Sequence, residues 1–202
     1  VTSATLRALG SFQTLQRETG IPDFAHFMAV AGAFDYQQAA VIRVPGDAVE
    51  GNAVEQHSRD IIDRFDTLVE PRCGTLVLFS SRRQMEQVYD ELSDDLQKNI
   101  LIQGQYSNRE MVRLHKERID QGRTSVLMGL ASFAEGVDLP GDYCRHVVIA
   151  KLPFAVPDDP LHEALSEWIE DRGGNSFFDI ALPIASLRLI QACGRLLRTE
   201  SD

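Results

Sequence analysis

Thr75-Leu76-Val77-Leu78-Phe79 opens on a β-branched threonine and continues as an unbroken apolar run that stops at Ser80-Ser81-Arg82-Arg83. A strand with one wet face would alternate apolar and polar residues. A continuous run of this length fits a strand buried on both faces of a parallel sheet. The hydroxyl pair then marks a helix entry, because residues 83–96 carry Met85, Val88, Tyr89, Leu92 and Leu96 at helical spacing. Strand, hydroxyl-bearing turn and helix together make the first part of a right-handed strand–helix–strand crossover.

The same pattern extends outward in both directions. Residues 39–44, 99–103, 125–129 and 146–152 are further short apolar runs, which with 75–80 predict five strands. Between them lie amphipathic segments of helical length. Residues 52–68 carry Val54, Ile61, Ile62, Phe65 and Leu68. Residues 108–121 carry Met111, Val112, Leu114 and Ile119 behind a Ser107-x-x-Glu110 capping box. Pro153, Pro157 and Pro160 predict an extended loop after the fifth run. Helices are predicted over 161–171 and 184–197, with a turn at Gly173-Gly174-Asn175 between them. Residues 1–6 resemble the end of a strand. Alternating strands and helices predict an α/β domain, a mostly parallel sheet flanked by helices. Neither an internal repeat nor a low-complexity tract is found.

The 202 residues suit roughly one domain, and the 44% hydrophobic and 25% charged fractions are ordinary for a globular protein. No apolar run approaches the roughly 20 residues needed to span a bilayer, and no basic-then-apolar leader is present. Cys73, Cys144 and Cys193 are far apart and lack C-x-x-C spacing. They predict reduced, buried thiols and a cytoplasmic setting. The net charge of −10 works against a simple nucleic-acid binder. Lys98, Lys116 and Lys151 are the only lysines. Positive charge is therefore mostly arginine, whose planar fork suits phosphate.

Three segments carry candidate chemistry. In Gln191-Ala192-Cys193-Gly194-Arg195-Leu196-Leu197-Arg198 a continuing helix would place two arginines on one face. Two guanidiniums aimed together suit the spread negative charge of a transferring phosphoryl group. A solvated helix end with two surface arginines is the plain alternative. The loop Gly129-Leu130-Ala131-Ser132-Phe133-Ala134-Glu135-Gly136-Val137-Asp138-Leu139-Pro140-Gly141 follows an apolar run, where open α/β sheets bind ligands. Glu135 and Asp138 can accept from ribose hydroxyls or an arginine, and Ser132 with nearby amides suits phosphate. An ordinary turn-rich surface loop would read the same way. Ser80, Ser81 and Arg82 sit at a strand-to-helix junction that suits an anion, while Ser81 is equally good as a plain N-cap.

In order, Thr2-Ser3-Ala4-Thr5, Phe79-Ser80-Ser81, residues 133–141 and Gln191-x-x-Gly194-Arg195-x-x-Arg198 resemble helicase motifs III, IV, V and VI of superfamily 2. The wording is similar to the XPD-like branch, specifically the bacterial DinG family. Residues 133–141 and Lys151-Leu152-Pro153-Phe154 are most like the YoaA group within it. The resemblance implies a RecA-like second motor domain over 7–202, shortened at its C-terminal end, with 1–6 closing the first motor domain. It implies ATP-driven 5′-to-3′ DNA unwinding in repair or replication. Arg195, Arg198 and Gln191 would be catalytic, with Arg198 the arginine finger. Glu135, Gly136 and Asp138 would face the nucleotide. Ser80, Ser81, Arg82 and Ser132 would hold single-stranded DNA.

There is no G-x-x-x-x-G-K-[ST] in the chain. ATP phosphates and Mg²⁺ are therefore expected mostly on the first motor domain, as is the 4Fe–4S cluster of the parent enzyme, with no metal in this chain. The chain alone is expected to be inactive. Its implied partners are single-stranded DNA, the first motor domain and, from the YoaA likeness, the clamp-loader chi subunit. A different class stays open: a protein-interaction module whose acidic Asp90-Glu91, Asp94-Asp95 and Asp158-Asp159 dock a basic partner. A dinucleotide-binding domain would need a G-x-G-x-x-G after a strand, which is missing.

Overall fold

The computed structural model describes residues 2–3, 5–32, 35–155 and 160–196, and gives the backbone alone for Tyr36, Gln37 and Glu135. In chain order the helices and strands are α1 (Gln13–Thr19), α2 (Tyr36–Ala39), α3 (Val54–Leu68), β1 (Gly74–Phe79), α4 (Arg82–Glu91) and α5 (Asp94–Gln97). They continue with β2 (Ile100–Ile102), α6 (Asn108–Asp120), β3 (Ser125–Leu130), α7 (Ala131–Glu135), β4 (His146–Ile149), α8 (Pro160–Glu170) and α9 (Leu182–Cys193). A 3₁₀ turn covers Gly141–Cys144, and a π-helical turn covers Phe177–Ala181. The chain forms two compact units: Val1–Gly32 with Leu152–Gln191, and Ala33–Lys151 with Ala192–Asp202.

The second unit is built on a four-stranded sheet of order β2-β3-β1-β4, with every pairing parallel. All six residues of β1 are buried, as its unbroken apolar run requires. Successive residues face opposite sides. Val77 and Phe79 therefore join Ile61 and Phe65 of α3 and Met85 and Val88 of α4 in one apolar layer. Leu76 and Leu78 join Met111 of α6 and Phe133, Val137 and Leu139 in the other. Gln84 staples the first layer through polar contacts, its amide reaching His57 Nδ1 at 2.9 Å and Ser58 Oγ at 3.2 Å.

A second buried histidine anchors the other layer. His115 is fully buried. Its Nε2 lies 2.8 Å from the Tyr143 carbonyl, so that nitrogen must donate, and Nδ1 must then accept from Ser125 Oγ at 2.8 Å. Burial outweighs the carbonyl bond and pushes its pKa down to about 4. Close by, a Cβ on Gly74 would lie 1.9 Å from the Tyr143 carbonyl oxygen. Only glycine permits that approach.

Several local expectations change. The run 39–44 forms no strand: α2 ends at Ala39, and Val41, Ile42 and Val44 are 79%, 84% and 84% exposed. β-branched composition favours a strand only where a neighbour completes the ladder, and no described strand pairs with this run. Residues 2–3 and 5–7 likewise form no strand. The helix predicted over 83–96 is two helices. Gln97 Nε2 donates to the carbonyls of Tyr89 (2.8 Å) and Leu92 (3.0 Å), satisfying the orphan acceptors at the end of α4. Ser107 caps α6 by accepting from the Glu110 amide at 3.3 Å, but the Glu110 carboxylate turns to Arg113 instead of completing the box.

The first unit holds α1, α8, the π turn and α9 as far as Gln191. Arg17 donates to the Asp179 carbonyl at 2.6 Å, and Phe154 packs on Phe177 with ring centroids 5.6 Å apart. Gly173 (φ 77°) and Gly174 end α8, with the Gly174 amide donating back to the Ile169 carbonyl at 3.0 Å. The helix predicted over 184–197 begins earlier, at Leu182 out of the π turn, and closes at Cys193.

Candidate functional site

The parallel sheet sets the site by register. Phe79 pairs with Leu130, so the residues leaving β1 and β3 emerge side by side at one edge. Ser80, Ser81 and Arg82 leave β1 exposed, and Ser132 is exposed in the first turn of α7 after β3. Ser81 is the N-cap of α4, accepting from the Gln84 amide at 3.4 Å. Arg82 is about half exposed, with Glu86 3.8 Å away on the next turn. An ion pair at this distance and exposure is weak, so the guanidinium can be taken by a stronger acceptor.

The third strand end adds residues that the sequence reasoning missed. Gln103 continues the ladder past β2, its amide donating to the Met128 carbonyl at 2.8 Å. Its side-chain oxygen accepts from the Leu130 amide at 2.8 Å. Gly104 then turns away at φ 109°, and a Cβ there would lie 3.5 Å from Arg82 Nη1. Arg82 thus lies over the β2–α6 turn. The available signal was a Gln-Gly pair after an apolar run, since glycine there marks a positive φ. The N-termini of α4 and α6 open onto this same edge, as crossover geometry dictates. Their free amides, with Arg82, make it suited to anions.

The loop after β3 is fastened by alternating burial. Phe133, Ala134, Val137 and Leu139 are each no more than 2% exposed, while Ser132, Gly136 and Asp138 face outward. A Cβ on Gly129 would sit 2.8 Å from the Phe133 ring, so the missing side chain makes room for that ring against β3. The Gly136 amide closes α7 by donating to the Phe133 carbonyl at 3.2 Å. Of Glu135 the structure gives the backbone alone.

The third candidate segment differs from expectation. Helix α9 stops at Cys193, and Gly194 begins a tighter turn in which the Arg195 amide donates to Ala192 at 3.2 Å and the Leu196 amide to Cys193 at 3.0 Å. Glycine weakens the helix there and bonds of the i−3 kind take over. Arg195 is therefore not on a helix face. Its Nη1 donates to the Val137 carbonyl at 2.9 Å, joining the segment to the loop after β3. Arg198 lies outside the described residues. Within the first unit, Gln191 Nε2 donates to Thr5 Oγ1 at 3.2 Å across 186 positions of sequence. Among the described residues no cluster of three or more His, Cys, Asp or Glu could hold a metal, and no helix is long and apolar enough to cross a membrane.

Residues 66–202 match the family described as Helicase C-terminal domain. The chain is 42% identical over 205 residues to the ATP-dependent DNA helicase DinG of Photobacterium profundum, covering 99% of this chain and 30% of that protein. It is 39% identical over 206 residues to the protein of the same name from Escherichia coli, covering 99% of this chain and 29% of that protein. The chain thus spans about three-tenths of the length of these relatives. Among solved structures an XPD helicase shares the fold, with TM-score 0.50 and 17% identity over 75% of this chain and 27% of that one. With the family match over more than half of its length, the chain belongs to the helicase C-terminal domain family, among relatives of the DinG helicases.

Proposed function

We propose that this chain is the second motor half of an ATP-dependent 5′-to-3′ DNA helicase acting in repair or replication, closing on ATP held mainly by a first motor domain. Relatives named as ATP-dependent DNA helicases align along nearly all of the chain, which supports the activity. The observation that carries the site reading is the bond from Arg195 to the Val137 carbonyl. It ties a segment suited to phosphate to the loop that bears Glu135, Gly136 and Asp138.

In this reading the chain's residues do three things. Arg198 is the arginine finger. Its fork meets the equatorial oxygens of the γ-phosphoryl group, where charge builds in the transition state. Arg195, held by Val137, and Gln191 position that group, while Glu135, Gly136 and Asp138 sense nucleotide occupancy. Ser80, Ser81, Arg82 and Ser132 grip the backbone of single-stranded DNA, contacts that position the strand without reading sequence. Closing and opening of the cleft then moves the grip along the strand as a hinge motion. Mg²⁺ and the ATP phosphate cradle belong to the first motor domain, since this chain lacks the lysine-bearing glycine loop, and the 4Fe–4S cluster implied by the family likeness is assigned there too.

Steady-state ATPase of the full-length enzyme with saturating single-stranded DNA tests the proposal. Arg198→Ala should lower turnover by about 10³-fold while nucleotide and DNA affinity change little. Arg198→Lys should rescue poorly. Wild-type turnover in Arg198→Ala would remove the motor role.

A further inference from the structure

Helix α8 presents an outer face that the helicase reading leaves unused. Leu161, Ala164 and Trp168 follow i, i+3, i+7 spacing and share one stripe. The stripe faces outward: Leu161 is 73% and Trp168 50% exposed, whereas Ile169 on the inner side is 5% exposed. Glu163, Glu167 and Asp171 recur at i, i+4, i+8 and line the neighbouring outer face, all exposed. Asp171 keeps helical register through its amide bond to the Glu167 carbonyl at 2.9 Å. None of the three carboxylates belongs to an ion pair among the described residues. Arg172 backs the indole, with its guanidinium carbon 4.1 Å from the ring centroid and Nη1 donating to the Trp168 carbonyl at 3.1 Å.

We propose that the outer face of α8 docks a basic, apolar-faced protein segment, with Leu161 and Trp168 as anchors and Glu163, Glu167 and Asp171 as a charged border. An exposed tryptophan beside an aliphatic residue is the composition of an interface anchor. Three carboxylates with no ion pair among the described residues, along one border, repel a phosphodiester backbone and attract lysine and arginine. An amphipathic helix whose apolar ridge is edged by basic residues matches both features.

Trp168 is the single tryptophan of the chain, so its emission reports on this face without a label. The probe is a synthetic amphipathic helix of leucine and lysine, about 18 residues long so that it holds helical form, titrated into the full chain. A saturable blue shift is expected. The double variant Glu163→Lys, Glu167→Lys should weaken it about 10-fold or more, and the single variant Leu161→Ser should weaken it with all carboxylates intact. Thermal melts check that both variants stay folded. A leucine–glutamate helix of the same pattern should leave the emission unchanged. Equal response to both peptides, an undiminished response in both variants, or no saturable response would overturn the proposal. Saturable quenching by oligothymidylate with the basic peptide inert would also overturn it, assigning the face to nucleobase stacking.

Discussion

Arg195 reaches back from the turn after α9 and donates to the main-chain carbonyl of Val137 at 2.9 Å. Val137 is itself 2% exposed, so the bond is made to a fixed point in the core layer.

This contact predicts two separable effects of Arg195→Ala. Loss of a hydrogen bond from a charged donor should cost about 1.5–3 kcal/mol of stability, read by denaturant unfolding of the chain. In the full-length enzyme, ATP turnover should fall about 10²-fold or more, the scale for losing one preorganised charge-stabilising donor. Lysine at this position should recover stability better than turnover, because an ammonium does not present the planar fork. Unchanged turnover would make Arg195 a structural tie only.

Arg82 and Ser81 should separate in the same way at the strand-end edge. Arg82→Ala in the full-length enzyme should weaken single-stranded DNA binding equally across sequences and reduce the salt-dependence slope by about 1. Fluorescence anisotropy over a salt series measures both. Ser81→Ala removes the α4 cap and should cost about 1 kcal/mol of stability whatever the DNA does.

Gly129→Ala should destabilise the chain by about 1–3 kcal/mol, since its Cβ would lie 2.8 Å from the Phe133 ring and the ring would have to leave its place on β3. Ser132 and Asp138 ride on the same loop, so DNA-stimulated ATPase of the full-length enzyme should fall as well. Unchanged unfolding midpoint and activity would show that the ring relaxes freely.

His115 predicts a pH dependence of known sign. Its folded pKa lies near 4, below the ordinary 6.5, because burial disfavours the imidazolium. The unfolded chain therefore binds more protons between these values. The contribution is complete above about pH 6.5 and is lost as pH falls towards 4, by up to about 3 kcal/mol in all. Urea titrations at pH 7, 5.5 and 4 should show the loss. His115→Gln should flatten the slope while lowering stability at pH 7, where the bonds to Ser125 and Tyr143 matter most.

Strands β1, β2 and β3 were legible because parallel strands buried on both faces leave continuous apolar runs. β4 is only half-buried, and its Val147-Val148-Ile149 run made it legible. Residues 39–44 have the same composition and form no strand, since strand formation depends on a neighbour and not on the run alone. The α4–α5 break was not legible because it rests on the Gln97 amide folding back onto carbonyls five and eight positions earlier. At the candidate site, the Ser81 cap followed from local pattern, and Ser132, Gly136 and Asp138, singled out there as candidates, are exposed. Arg195 did not follow, because Gly194 ends the helix that the spacing argument assumed. Gln103 was missed because its role is a side-chain bond to a different strand.

That Gln103 bond has a consequence for hydrogen exchange. β2 is only three residues long, and Leu130 lies beyond the last paired position, Ile102 with Met128. Its amide would be open to solvent at the edge of the sheet if the glutamine oxygen did not take it. Deuterium should therefore enter the Leu130 amide as slowly as the neighbouring ladder amides, and far faster in Gln103→Ala. One side chain thus replaces a further residue of edge strand, leaving Gly104 free to turn the backbone out of the sheet directly beneath Arg82.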